Sequence, residues 1–174
     1  QATQGFNIIA TANLRDRGVH EMSAALKRRF NFETVKPIRD QKFEIELVGL
    51  QLKNQLADLY SEIQVRPEVI ELLVTIFNEL RTGQSLQGAT LKTPDAVMST
   101  AEAVNIAHAA GLQAIYLSDG KLKAEHLAQQ LIGVVFKDNP DDAKRLRYYL
   151  DTVVKERARK DADWKSFYEA SREF

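Results

Sequence analysis

"FNIIATANLRDRGVHEMSAALKRRF" spans residues 6–30 and decides how the whole chain is read. Phe6, Ile8 and Ile9, with the small Ala10 and Ala12, make a short buried-strand pattern that stops on Asn13. A polar loop runs through Gly18, and residues 21–30 are helix-compatible, with Met22, Ala25 and Leu26 on one face. "FNFETVKPI" (30–38) alternates as a second strand would, and Pro37 closes it by removing a backbone donor.

Beyond Pro37 the pattern changes to helix. Phe43, Leu47, Leu50, Leu56 and Leu59 recur at mostly helical spacing over 42–60. Pro67 suits a first helical position, Val69 to Leu80 trace an apolar stripe, and Gly83 can end that helix. Ser99 with Glu102 is a capping-box pattern, predicting a helix over 100–110 closed by Gly111. Asp119-Gly120 reads as a turn, and residues 122–136 as a further helix. Asn139-Pro140-Asp141-Asp142 supplies a cap, a proline and first-turn acids for a last helix. The expected fold class is mostly α: a short α/β remnant of two strands and a helix over 1–40, then an all-helical part over 41–174.

A chain of 174 residues can bury roughly 70% of its unfolded surface, so its core needs no covalent staple. Net charge is zero, and nothing global directs it to nucleic acid or a membrane. Cysteine is absent, which excludes disulfides and thiolate chemistry. No apolar run approaches the roughly 18 residues of a membrane helix, and the first residues lack a signal-peptide pattern. The expected location is the cytoplasm.

Two stretches carry a family resemblance. "IIATAN" resembles the strand ending in the sensor 1 asparagine of AAA+ ATPases, in the branch of the MoxR-like and dynein-related proteins. "MSAALKRRF" (22–30) resembles the helix on which that family places its arginine finger, and the helical remainder is similar to its lid. The resemblance implies sensor 1 at Asn13, a finger at Arg29 acting on a neighbouring subunit's nucleotide, and Arg28 as its rival. It implies a parent protein that binds ATP and Mg2+, hydrolyses ATP as a ring, and remodels or activates a partner protein. Such partners often carry a von Willebrand A domain. The chemistry suits these types: a neutral amide both donates and accepts, and a planar guanidinium matches phosphate oxygens. Phosphoryl transfer depends on such positioning, and an arginine supplied in trans is worth roughly 10³ or more in rate.

The chain departs from the family's pattern too. No GxxxxGK[ST] phosphate loop occurs; "GQSLQGAT" (83–90) has Ala89 where lysine is required, follows a helix, and reads as a flexible connector. No strand ends in paired acids that could hold Mg2+. The expectation is a C-terminal fragment that does not turn over ATP alone. The lid arginine of sensor 2 is missing: Ser99 and Thr100 are followed by Ala101. Leu14 stands where relatives often have proline, and Arg28 where several have an acid.

Other groupings carry plainer readings. His20, His108 and His126 lack metal-ligand spacing. Asp95 and Glu102 fit turn and cap roles. The basic run Lys144 to Lys160 reads as a solvated helix face, so nucleic acid is not the expected partner. Trp164, Phe167, Tyr168 and Phe174 read as docking the last helix. The alternative to the ATPase is a helical protein-interaction module using residues 144–174 as its contact face.

Overall fold

The computed structural model describes residues 5–11, 23–95, 98–135 and 139–173, in two units that divide between Lys36 and Pro37. In the first unit, Ser23 Oγ accepts from the Leu26 amide at 3.2 Å and opens α1 (Ala24–Lys27). The strands expected at 6–12 and 30–38 are not seen over 6–11 and 30–38: no strand occurs among the described residues. A strand needs a neighbour to take its N–H and C=O groups, and none is present among them. The apolar residues of the first segment are accordingly exposed, Ile9 to 96%.

The second unit is helical throughout. Its elements are α2 (Gln41–Leu56), α3 (Pro67–Thr82), α4 (Thr100–Leu117), α5 (Ala124–Val135), α6 (Pro140–Tyr149), α7 (Lys155–Ala158) and α8 (Ala162–Ala170). A 3-10 stretch, Ala57–Glu62, follows α2, and a π-helical turn, Leu150–Val154, joins α6 to α7. Among the described residues no helix is long and apolar enough to cross a membrane.

Local chemistry sets the helix ends. Asp40 caps α2 by accepting from the Phe43 amide at 3.1 Å. Pro67 opens α3, and Gly83, at φ 71°, closes it by donating to the Glu79 carbonyl at 2.9 Å. The Ser99–Glu102 capping box is complete at the start of α4. Asn139 accepts from the Asp141 amide at 3.0 Å before α6.

α3 is the central helix and is buried nearly all round: Val69, Leu73, Val74, Ile76, Phe77 and Leu80 are sealed from water. The buried faces of α2 (Val48, Leu52), α4 (Ala107, Ala110, Ala114) and α5 (Leu127) pack beside it, and Leu146 of α6 and Phe167 of α8 belong to the same core. Each large side chain so buried contributes roughly 1.5–3 kcal/mol.

Three expectations within this unit are corrected. First, α2 buries Glu44, Val48, Leu52 and Leu56, while Phe43 and Leu50 remain 53% and 54% exposed. The core face of the helix is the one that carries a charge. Second, its regular winding stops at Leu56, because Ala57 adopts φ 39° and the chain tightens into the 3-10 stretch. Third, Gly111 does not end α4, which continues to Leu117. A β-carbon at 111 would sit 3.2 Å from Leu56 Cδ1 and 3.4 Å from Leu52 Cδ1, so this glycine lets α2 and α4 approach closely. Replacing it with valine, Gly111→Val, is expected to destabilise the chain by about 1–3 kcal/mol through overpacking, read as a lowered midpoint in urea unfolding.

Candidate functional site

Asn13, expected as sensor 1, lies outside the described residues, as does His20. Arg28 and Arg29 follow α1 as exposed side chains; the Arg28 amide donates to the Ala24 carbonyl at 3.1 Å and the Arg29 amide to Leu26 at 3.0 Å. Nothing in their surroundings buries either guanidinium. His108 is half-buried on α4, and no group of three or more His, Asp or Glu among the described residues could hold a metal ion.

The start of α4, where the resemblance places a lid arginine, is built differently. Ser99 Oγ accepts from the Glu102 amide at 3.2 Å, and the Glu102 carboxylate accepts from the Ser99 amide at 2.9 Å. Thr100 Oγ1 donates to the buried Glu44 carboxylate at 2.7 Å. Ala101 is exposed and brings no charge. The guanidinium nearest this helix start comes from the last turn of α3. Arg81 grips Glu44 with both terminal nitrogens, at 2.8 and 3.2 Å, and donates from Nε to the Met98 carbonyl at 2.8 Å. A two-point carboxylate grip is a strong and specific pairing.

A second buried carboxylate organises the C-terminal helices. Glu79 of α3 accepts from the Tyr149 hydroxyl at 2.6 Å, from Arg157 at 2.5 and 3.0 Å, and from the Leu86 amide at 2.6 Å. Arg157, only 12% exposed, also reaches Gln87 and lies 4.7 Å above the Trp164 ring. Burial, and then the Glu79 charge, push the Tyr149 hydroxyl well above the ordinary phenol range, so it stays a proton donor. Tyr149 and Arg157 are eight residues apart. At the α-helical step of roughly 100° they would point about 80° apart, whereas five steps of roughly 82° through the π turn bring them nearly into line.

The loop over 83–90 is therefore not a flexible connector. Besides Leu86, its Ser85 amide donates to the Ala89 carbonyl at 2.9 Å and its Ala89 amide to Ser85 Oγ at 3.0 Å. Amides spent in this way cannot cradle a phosphate. The basic run over 144–160 is likewise not a simple solvated face. Arg157 is internal, Arg145 pairs with Asp95 and buried Asp142, and Arg147 donates to the Ser171 carbonyl at 3.1 Å. Phe167 is fully buried, with Trp164 and Tyr168 packed against the core, so the tail docks as expected; Phe174 lies outside the described residues.

One open cavity of about 530 Å3 lies between α4, α5 and α8, lined by Gln113, Glu125, His126, Lys165, Ser166 and Glu169. None of the residues expected to meet nucleotide lines it. His126 Nδ1 accepts from the Lys123 amide at 3.3 Å. Burial lowers its pKa below the ordinary 6.5, with Lys123 adding to the shift and Glu125 and Asp119 opposing it.

The class of protein defined by this helical unit is the C-terminal part of an AAA+ ATPase. More particularly, residues 42–174 match the YehL-like AAA+ ATPase C-terminal domain family, and the chain belongs to it. It is similar to the uncharacterized protein YehL of Escherichia coli (strain K12), with 47% identity over 169 residues covering 97% of this chain. The match covers 46% of that protein, so the chain spans about half the length of the curated relative it matches. No solved structure matches the chain.

The sequence reading missed Glu44, Arg81, Glu79, Tyr149 and Arg157. No periodic signal marks Glu79: at the helical step of roughly 100° it lies about 20° from Glu68, at the edge of the solvent stripe through Glu68, Glu71, Asn78 and Thr82.

Glu79→Gln is expected to cost about 3–5 kcal/mol by leaving Arg157 buried without a carboxylate. Tyr149→Phe, which removes one hydrogen bond to a charged group, should cost roughly 1.5–3 kcal/mol; urea unfolding at neutral pH measures both. For His126 the unfolded chain takes up its proton first. The stability tied to the neutral ring is complete above pH 6.5 and is lost as the pH falls through the lower folded-state value. The melting temperature of His126→Gln should therefore fall less between pH 7.5 and 5.5, about one unit either side of an ordinary histidine, than that of the unsubstituted chain.

Proposed function

We propose that this chain is the sensor 1 to lid portion of a MoxR-like ATPase that hydrolyses ATP as a ring in the cytoplasm. In this reading residues 1–40 are the end of an α/β core, and residues 6–12 pair as a strand when the rest of a sheet is present. Asn13 orients the attacking water beside the terminal phosphate, and Arg29 reaches the nucleotide of the neighbouring subunit, with Arg28 as its rival. The work done is the remodelling or activation of a partner protein, of which a von Willebrand A domain protein is one kind.

The observation that carries this reading is family membership of the helical unit, preceded in the sequence by Asn13 and Arg29 in the order an AAA+ module uses. Two further features support it. The apolar segment Phe6 to Ile9 is exposed, as an unpaired strand would be. Both arginines are exposed, as a residue serving another subunit must be. ATP and Mg2+ belong to the whole protein: no described group of acids suits a metal, and Arg81 and Thr100 are already committed to Glu44. The chain's own part in this reading is the amide at 13 and the guanidinium at 29, with 28 as its rival.

A helical interaction module with no nucleotide role is the second reading, favoured by the exposed Phe43 and Leu50 on one side of α2.

In the full-length protein, Arg29→Ala is expected to lower ATP turnover by roughly 10³ while nucleotide affinity stays within a few-fold, since a finger acts in trans. Turnover kinetics with equilibrium nucleotide binding checks this. Loss of turnover that tracks unfolding would make Arg29 structural. Micromolar ATP affinity with turnover by the isolated chain would refute the reading.

A further inference from the structure

The polypeptide enters the helical unit through Pro37, Ile38, Arg39 and Asp40, and it is held there. Arg81 Nη1 reaches the Ile38 carbonyl at 3.4 Å. The same guanidinium holds the Met98 carbonyl and the Glu44 carboxylate, and Glu44 in turn holds Thr100, the first residue of α4. Asp40 fastens the first turn of α2 through the Phe43 amide, and Gln41 Nε2 donates to Thr75 Oγ1 at 2.8 Å. One side chain, 14% exposed, thus joins the entry segment at 38 and the adjoining first turn of α2 to the distant loop before α4.

We propose that Arg81 is a positioning residue that ties the entry segment to the start of α4. Its planar fork fixes several acceptors in one geometry, which a lysine ammonium, a point charge, cannot do. Because Ile38 is held, a change in the direction of the preceding polypeptide is absorbed at Lys36 and Pro37 and before, where proline already narrows the residue ahead of it. A displacement large enough to carry Ile38 along pulls on Arg81, and through it on Met98, Glu44 and Thr100. The start of α4 is thereby coupled to the entry segment with no charged residue at 101.

The tie itself is independent of any ATPase activity; its consequence for turnover rests on the reading in the preceding subsection. Arg81→Lys keeps the ion pair with Glu44 and loses the fork. In this chain, trypsin should cut after Arg39 about tenfold faster in Arg81→Lys, with a melting temperature within a few degrees of the original, because local release of the segment sets the rate. In the full-length protein, Arg81→Lys should lower kcat for ATP by about tenfold with KM within about threefold, as misplacement does. Thr100→Val, which cuts only the α4 end of the tie, should lower kcat similarly while leaving cleavage after Arg39 unchanged. Unchanged cleavage in Arg81→Lys overturns the tie. Faster cleavage with kcat unchanged in both variants of an active protein overturns the coupling. A full-length protein that binds no ATP overturns the ATPase reading, and with it the coupling to turnover, while the tryptic result still decides the tie.

Discussion

A carboxylate removed from water must be met on every side, and Glu79 is the group this helical unit is assembled around. It sits on α3, the helix with the most complete burial, and accepts from the loop that follows, from Tyr149 and from Arg157. Arg157 in particular could not leave without stranding the Glu79 charge in the interior. The constraint therefore reaches from α3 through the 83–90 loop to the α6–α7 helix and, by the Arg157–Trp164 contact, to α8. Buried ion pairs are weak evidence of net stability, since well-packed apolar replacements often do as well. They do exclude alternative packings, and here one pair holds the rotation of the α6–α7 helix.

Glu44 and Arg81 do the same at the other end of the unit, and they explain much of what could and could not be read from the sequence. Several helix ends are legible because a side chain or a special residue marks them, as Pro67 and Gly83, Ser99 with Glu102, and Asn139 with Pro140 do, whereas the caps at Asp40 and Asp161 are absent from the sequence reading. The core face of α2 was not legible. Phe43, Leu47 and Leu50 look like the apolar stripe, while the stripe that is buried carries a glutamate whose counter-ion lies 37 residues away. Periodicity cannot see a partner at that distance. Gly111 was misread for a related reason: its role depends on leucines of another helix, not on its own neighbours in the chain. The strands of the first unit failed as predictions because a strand is a property of a pair.

The candidate site divides along the same line. Arg28 and Arg29 are found exposed, and the start of α4 shows why position 101 can be alanine without leaving a hole: its neighbours Ser99 and Thr100 are occupied by Glu102 and Glu44. Family membership covers the helical unit and says nothing of Asn13, which precedes the matched residues.

The wide turn at Leu150–Val154 leaves the chain tolerant of a change in length. It holds one residue more than a regular helix requires, and the surplus is accommodated without moving Arg157 off Glu79. Without one exposed residue there, such as Thr152, Tyr149 and Arg157 would stand seven apart, and an unbroken α-helix would still present both to the same acceptor. A chain one residue shorter at this point would therefore keep the same interior in a regular helix.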